Sequence, residues 1–218
     1  MAEAVLQHAP DSTSTRIEKD EVRRFMSFPG AYFNHSINEM HSIPRDKLKE
    51  IQRTALSLRF EEKVEQVSML KKLADNQGIK SLQDVEEVVP LLFEHTMYKS
   101  YPVSFLAKRR FDQLTVWLNK LTALDLSKID ATKCDSVDSW LDLIVEQSGL
   151  DPVATSGTTG TMSFIPRSKR DMEFAFLTNY SSTIQTFGKP TPPELGLYHT
   201  IFPSYGDGHL MSFRSGHY

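Results

Sequence analysis

At 218 residues, 39 % of them hydrophobic and 24 % charged, the chain is long enough for one ordinary globular domain and has the make-up of a folded protein. A formal net charge of −3 supplies no basic field for a nucleic-acid backbone or an anionic membrane surface, so neither partner is implied. Cys134 is the single cysteine, which excludes an intrachain disulfide, a cysteine-based zinc cluster and a C-x-x-C redox pair, and fits a reducing compartment.

Residues 1–16 are small and polar and read as a flexible N-terminus, without the basic start and apolar run of a signal peptide. No later stretch approaches the roughly 18 to 20 apolar residues of a membrane span, and a cytoplasmic location is expected. Ile17 to Phe28 predicts a short helix ended by Pro29-Gly30. From Pro44, apolar residues at Leu48, Ile51, Ala55, Leu58, Val64, Val67 and Leu70 predict one long amphipathic helix that stops at Asn76-Gln77-Gly78. Residues 81–101 hold an apolar run broken by Pro90 and predict an irregular segment laid over a core.

A second helix is expected after Pro102, through Phe105, Leu106, Phe111, Leu114, Trp117, Leu118 and Leu121. A third starts at Asp135 or Ser136, carries Val137, Trp140, Leu141 and Ile144 inward, and stops at Gly149. The chain is therefore mainly helical to residue 150. There the texture changes: DPVATSGTTGTMSFIPRS is poor in helix formers, and Val153-Ala154 and Phe164-Ile165 read as strand fragments of a hairpin-like loop. Ser168 can cap a fourth helix through Met172, Phe176, Leu177, Tyr180, Ile184 and Phe187, with Gly188 past its end. Pro190, Pro192 and Pro193 form a linker, and Gly196 to Phe202 reads as a buried strand before a Gly-rich stretch. The expected fold class is α/β, a helical N-terminal half followed by a strand, loop, helix and strand.

The chemistry concentrates in Thr155-Ser156-Gly157-Thr158-Thr159-Gly160. Binding a polyphosphate requires converging backbone N–H groups, small side chains that permit close approach, and hydroxyl donors. Gly157 and Gly160 supply the first two, and Ser156, Thr158, Thr159 and Thr155 the hydroxyls, while Arg167, Lys169 and Arg170 follow closely with positive charge. A Walker A loop is excluded, because its last glycine must be followed by lysine and Gly160 is followed by Thr161-Met162. The plain alternative is a surface turn. His199, His209 and His217 match no metal-ligand spacing, no G-x-S-x-G frames Ser215, and Tyr198, Phe202, Tyr205 and Phe213 read as core.

The hexapeptide T-S-G-T-T-G closely resembles the phosphate-loop signature of the adenylate-forming (acyl-activating) enzyme superfamily, as does its place after a helical stretch and before a helix. The usual Pro-Lys-Gly continuation is missing. With Thr161-Met162-Ser163-Phe164-Ile165-Pro166 in its place, and the string Leu91-Leu92-Phe93-Glu94-His95-Thr96-Met97-Tyr98-Lys99-Ser100-Tyr101-Pro102 upstream, the chain looks more like the phenylacetate-coenzyme A ligase and acyl-protein synthetase branch.

That resemblance implies ATP and Mg²⁺ as cofactors, a small carboxylic acid such as a fatty acid as substrate, and a thiol or protein as acyl acceptor. It implies that residues 17–218 form the N-terminal part of an adenylate-forming domain, with Thr155, Ser156, Gly157, Thr158, Thr159 and Gly160 on the phosphates and Arg167 and Lys169 as candidate cations. No catalytic residue is assigned. The superfamily's acidic Y-G-x-T-E-like motif, ribose-binding aspartate and catalytic lysine find no match after Gly160, so the expectation is a fragment inactive on its own. The competing expectation is a non-catalytic nucleotide-binding or scaffolding module.

Overall fold

The computed structural model describes residues 17–34, 36–155, 160–176 and 208–210. The chain divides into two compact units, Met1–Ala55 and Leu56–Tyr218. Among the described residues the fold is mostly helical with one two-stranded antiparallel sheet, and no helix is long and apolar enough to cross a membrane.

In the first unit, α1 (Lys19–Ser27) is followed directly by α2 (Pro29–Tyr32) and then by α3 (Ile37–Ser42). The first helix stops at Ser27, before Pro29-Gly30, as the sequence suggested, and Pro29 has a second role. It opens α2, because a first-turn N–H has no intrahelical partner and its loss costs nothing there. Val22, Phe33 and Ile51 are buried, and Phe25, Tyr32 and Phe33 meet edge to face. Glu21 accepts from the Tyr32 hydroxyl at 2.7 Å and pairs with Lys47 at 2.9 Å.

The expected helix from Pro44 to Gln77 is two helices, α4 (Arg45–Lys63) and α5 (Ser68–Gln77), separated at residues 64–67. The break contains no Gly or Pro. The Gln66 and Val67 amides both return to the Lys63 carbonyl at 3.0 Å, and the Lys63 ammonium donates to the Gln66 side chain at 2.9 Å. The turn lets Phe60 and Val64 at the end of α4 pack on the same small core as Ala74, Leu82 and Leu91. Gly78 then ends α5 in the left-handed region, as expected.

Residues 81–101 form short 3-10 turns rather than regular helix, consistent with Pro90. A three-residue period sorts them: Leu91 is buried and Val88 half-buried, whereas Val89 and Leu92 face solvent. The helix expected after Pro102 is also divided, into α6 (Ser104–Ala107) and α7 (Phe111–Leu118) with a final 3-10 turn, Asn119–Leu121. Arg109 closes α6 at φ 54°, and the Arg110 amide reaches back to the Phe105 carbonyl at 2.7 Å, a helix stop made without glycine.

The third expected helix, α8 (Val137–Ser148), has the anticipated ends. Ser136 accepts from the Ser139 amide at 3.1 Å while the Ser139 hydroxyl accepts from the Ser136 amide, a reciprocal capping box. Gly149, at φ 72°, takes the left-handed cap that a side chain would disfavour. Trp140, Leu141 and Ile144 turn inward onto Phe111, Leu114 and Leu118 of α7, forming the main core with Tyr101, Leu126, Leu150 and Phe164. The Trp140 indole donates to Thr115 at 2.8 Å, and Thr115 donates to the Phe111 carbonyl at 2.8 Å, so both of these polar side chains are satisfied.

Beyond α8 the chain enters β1 (Val153–Ala154), which pairs antiparallel with β2 (Phe164–Ile165), the two strand fragments read from the sequence. Residues 169–176 are helical, also as expected. Leu177, Tyr180, Ile184, Phe187 and Gly188, the proline linker and the strand at 196–202 lie outside the described residues. On its other edge β1 meets the chain in parallel at Leu210, where the Ala154 amide donates to the His209 carbonyl at 2.8 Å.

Candidate functional site

Four pairings set the hairpin in one unbroken register. They are Leu150 with Ser168, Val153 with Ile165, Ala154 with Phe164, and Thr155 with Ser163. Constant register along both arms fixes where they separate. The Thr155 amide donates to the Ser163 carbonyl at 3.1 Å, and the Ser163 amide donates to the Thr155 hydroxyl at 3.1 Å. Two hydrogen bonds across one residue pair thus close the base of the connection that carries the hexapeptide. Thr155 uses its oxygen as acceptor there and keeps its proton to donate.

Ser156, Gly157, Thr158 and Thr159 lie outside the described residues. Gly160, on the returning side, is exposed at φ 101°, and a β-carbon built on it would meet nothing within 4 Å. Only the backbone conformation, and not crowding, therefore requires glycine at this position.

The arms are held by the main core. Phe164 is fully buried, with its ring centroid 5.1 Å from Trp140 and 5.6 Å from Tyr101. Tyr101 is itself 3 % exposed and stacks edge-on to Trp117 at 5.0 Å. Its hydroxyl donates to the Met162 carbonyl at 2.8 Å, across 61 residues of sequence. Desolvation pushes the Tyr101 phenol up to about 12, so it remains a proton donor throughout the neutral range. Next to it, Ser100 accepts from the Trp117 indole at 3.0 Å and donates to the Met97 carbonyl at 2.9 Å.

The three cations are not equivalent. Arg167 is half-buried, its carbonyl accepts from the Asp151 amide at 2.6 Å, and its charge opposes the upward push that burial gives the Tyr98 phenol. Lys169 is exposed at the start of the following helix, and the Arg170 guanidinium lies 5.2 Å from the Phe174 ring centroid. That helix start already holds an anion. The Asp171 carboxylate accepts from the Ser168 amide at 2.9 Å and from its hydroxyl at 2.7 Å, while the Asp171 amide donates to the Ser168 oxygen at 3.1 Å. The helix N-terminus thus has its own carboxylate, which competes with a phosphate for the same dipole and donors.

Sequence reasoning missed two residue pairs at the site. Tyr101 with Met162 is one; Tyr101 appeared only within a string of family resemblance. The other is His209, whose ring nitrogen lies 2.8 Å from an Asp142 carboxylate oxygen of α8; His209 is 7 % exposed, and Asp142 projects into solvent. His209 is therefore tied to a helix surface beside β1. His199 and His217 lie outside the described residues, as do Tyr198, Phe202, Tyr205 and Phe213. Cys134 is half-buried and its thiol pKa is pushed up, first by desolvation, so it has none of the enhanced acidity of a reactive cysteine. Among the described residues no group of three His, Cys, Asp or Glu side chains is placed to hold a metal ion.

Comparison with known proteins finds no matching family model, no matching curated protein and no matching solved structure.

Proposed function

We propose that the chain belongs to an ATP-dependent, adenylate-forming enzyme of the cytoplasm that activates a small carboxylic acid and passes the acyl group to a thiol or protein acceptor. One observation carries this reading: T-S-G-T-T-G spans the separation point of a β-hairpin whose base is doubly closed by Thr155 and Ser163, with Gly160 at positive φ beside open space.

In the proposed reaction an oxygen of the substrate carboxylate bonds to the α-phosphorus of ATP as the bond to pyrophosphate breaks, and the acceptor then displaces AMP from the acyl carbon. The chain's contribution is positioning and electrostatic stabilisation of the phosphates, through loop N–H groups and the hydroxyls of Ser156, Thr158 and Thr159. The Thr155 hydroxyl proton and the Gly160 amide flank them. Arg167 and Lys169 supply charge from the following residues; the Asp171 carboxylate at the helix start makes those side chains, and not the helix dipole, the cations of interest. Mg²⁺ bound to the phosphates would neutralise charge there, taking most of its oxygens from ATP and water.

Carboxylate-dependent exchange of labelled pyrophosphate into ATP, alongside equilibrium ATP binding, tests the proposal. Exchange with a fatty or aromatic acid supports it. Binding without exchange fits both a fragment inactive on its own and the non-catalytic nucleotide-binding module, and absence of binding overturns both.

A further inference from the structure

The returning arm of the connection, from Gly160 to Ser163, has two restraints of different origin. Ser163 is held by the hairpin itself through Thr155. Met162 is held from outside it, because its carbonyl accepts the hydroxyl of Tyr101, whose ring is sealed between Trp117 and Phe164. Tyr101 has little freedom to follow the arm if the arm moves: it is buried, and Ser100 beside it is tied to the Trp117 indole. A hydroxyl fixed on a rigid aromatic core is thus the reference point for a carbonyl two residues from Gly160.

We propose that Tyr101 is a positioning residue for the phosphate loop, its hydroxyl setting the conformation of the 160–163 arm and through it the affinity for a polyphosphate. The affinity half rests on the function proposed above; the conformational half does not. Ring and hydroxyl have separable tasks. The ring fills the core against Trp117 and Phe164, and the hydroxyl leaves that core at a single point, to bond a loop carbonyl. Lowered acidity keeps the proton on Tyr101, so the bond persists across any pH at which ATP binding is measured.

The test is Tyr101→Phe in the full chain, read by amide hydrogen exchange and by ATP binding, with Tyr101→Leu as a comparison that also removes ring packing. Loss of one net hydrogen bond corresponds to a factor of about three to ten in the local opening equilibrium. Tyr101→Phe should speed exchange at Met162, Ser163 and Phe164 by about that factor and weaken ATP binding by a similar one. Exchange at Leu114, Leu118 and Ile144 should not change. Unchanged exchange in the arm overturns the proposal, and does so without touching the proposed function if the parent still binds ATP. Uniform acceleration through the core in Tyr101→Phe also overturns it, since the hydroxyl would then be a general stabiliser. Faster arm exchange in a chain that binds no ATP, with or without the substitution, overturns the affinity half together with the proposed function.

Discussion

Phe164→Ala should loosen the hairpin and the main core together, because Phe164 is at once the centre of β2 and a fully buried member of the aromatic cluster. Truncating a buried Phe to Ala costs about 3 to 5 kcal/mol, part transfer and part cavity. The two ring contacts, to Trp140 and Tyr101, account for about 0.5 to 1.5 kcal/mol each within that loss. Against a total stability of about 5 to 15 kcal/mol, the variant should remain folded in water with a much reduced margin. With a urea slope of about 2 kcal/mol/M, the midpoint falls by about 1.5 to 2.5 M at unchanged slope. Fluorescence is a direct probe, since the chain's two tryptophans, Trp117 and Trp140, contact Tyr101 and Phe164 respectively. Phe164→Leu, which keeps most of the volume, should lose less than half as much. A midpoint shift below about 0.5 M for the alanine variant would refute the assignment of Phe164 to the core that holds the loop.

Removing the α8 cap by Ser136→Ala should cost about 1 kcal/mol in thermal or urea unfolding, and an unchanged midpoint would mean that the capping box contributes nothing. Arg167→Gln combined with Lys169→Gln should weaken ATP binding and flatten its dependence on salt; equal affinity and equal salt dependence would make both residues a solvated surface. Tyr101 predicts an alkaline effect of defined sign. Its folded phenol is raised from the ordinary 10.0 to about 12, so its contribution is fully present below pH 10 and is lost as pH rises through 12. Tyr101→Phe should therefore flatten the alkaline loss of stability between those limits, and superimposable curves would contradict the burial assigned to the phenol.

The legible parts of this fold were those where a single residue has one physical solution. Ser136 and Gly149 bounded α8, and Gly78 ended α5, because capping oxygens and left-handed backbone have few sources in a sequence. The strand fragments around the hexapeptide were readable from the sudden shortage of helix formers. Helix breaks at residues 64–67 and at Arg109 were not readable. Each turn is made by ordinary residues, without Gly or Pro, and the first of them brings Phe60 and Val64 onto a core shared with Ala74, Leu82 and Leu91. Pro29 is legible as the end of α1 but not as the start of α2, because proline both ends helices and begins them. For the site, the loop was visible as local chemistry, whereas the Tyr101 bond to Met162 joins residues 61 apart and has no sequence period to announce it. The capping of the helix after Ser168 by Asp171 was also hidden: the same serine that marks a helix start says nothing about which anion that start already holds.

The central claim is that the Thr155 to Gly160 connection binds the phosphates of ATP. Titration calorimetry of the full chain with Mg²⁺ and ATP, run in parallel on a Thr158→Ala, Thr159→Ala double variant, tests it most directly. Each hydrogen bond lost to a charged phosphate costs about 1.5 to 3 kcal/mol, so the double variant should bind about a hundredfold more weakly or worse, at an unchanged melting temperature. Failure of the parent to bind ATP, equal affinity in the two proteins, or a lower melting temperature of the variant without ligand would contradict the claim.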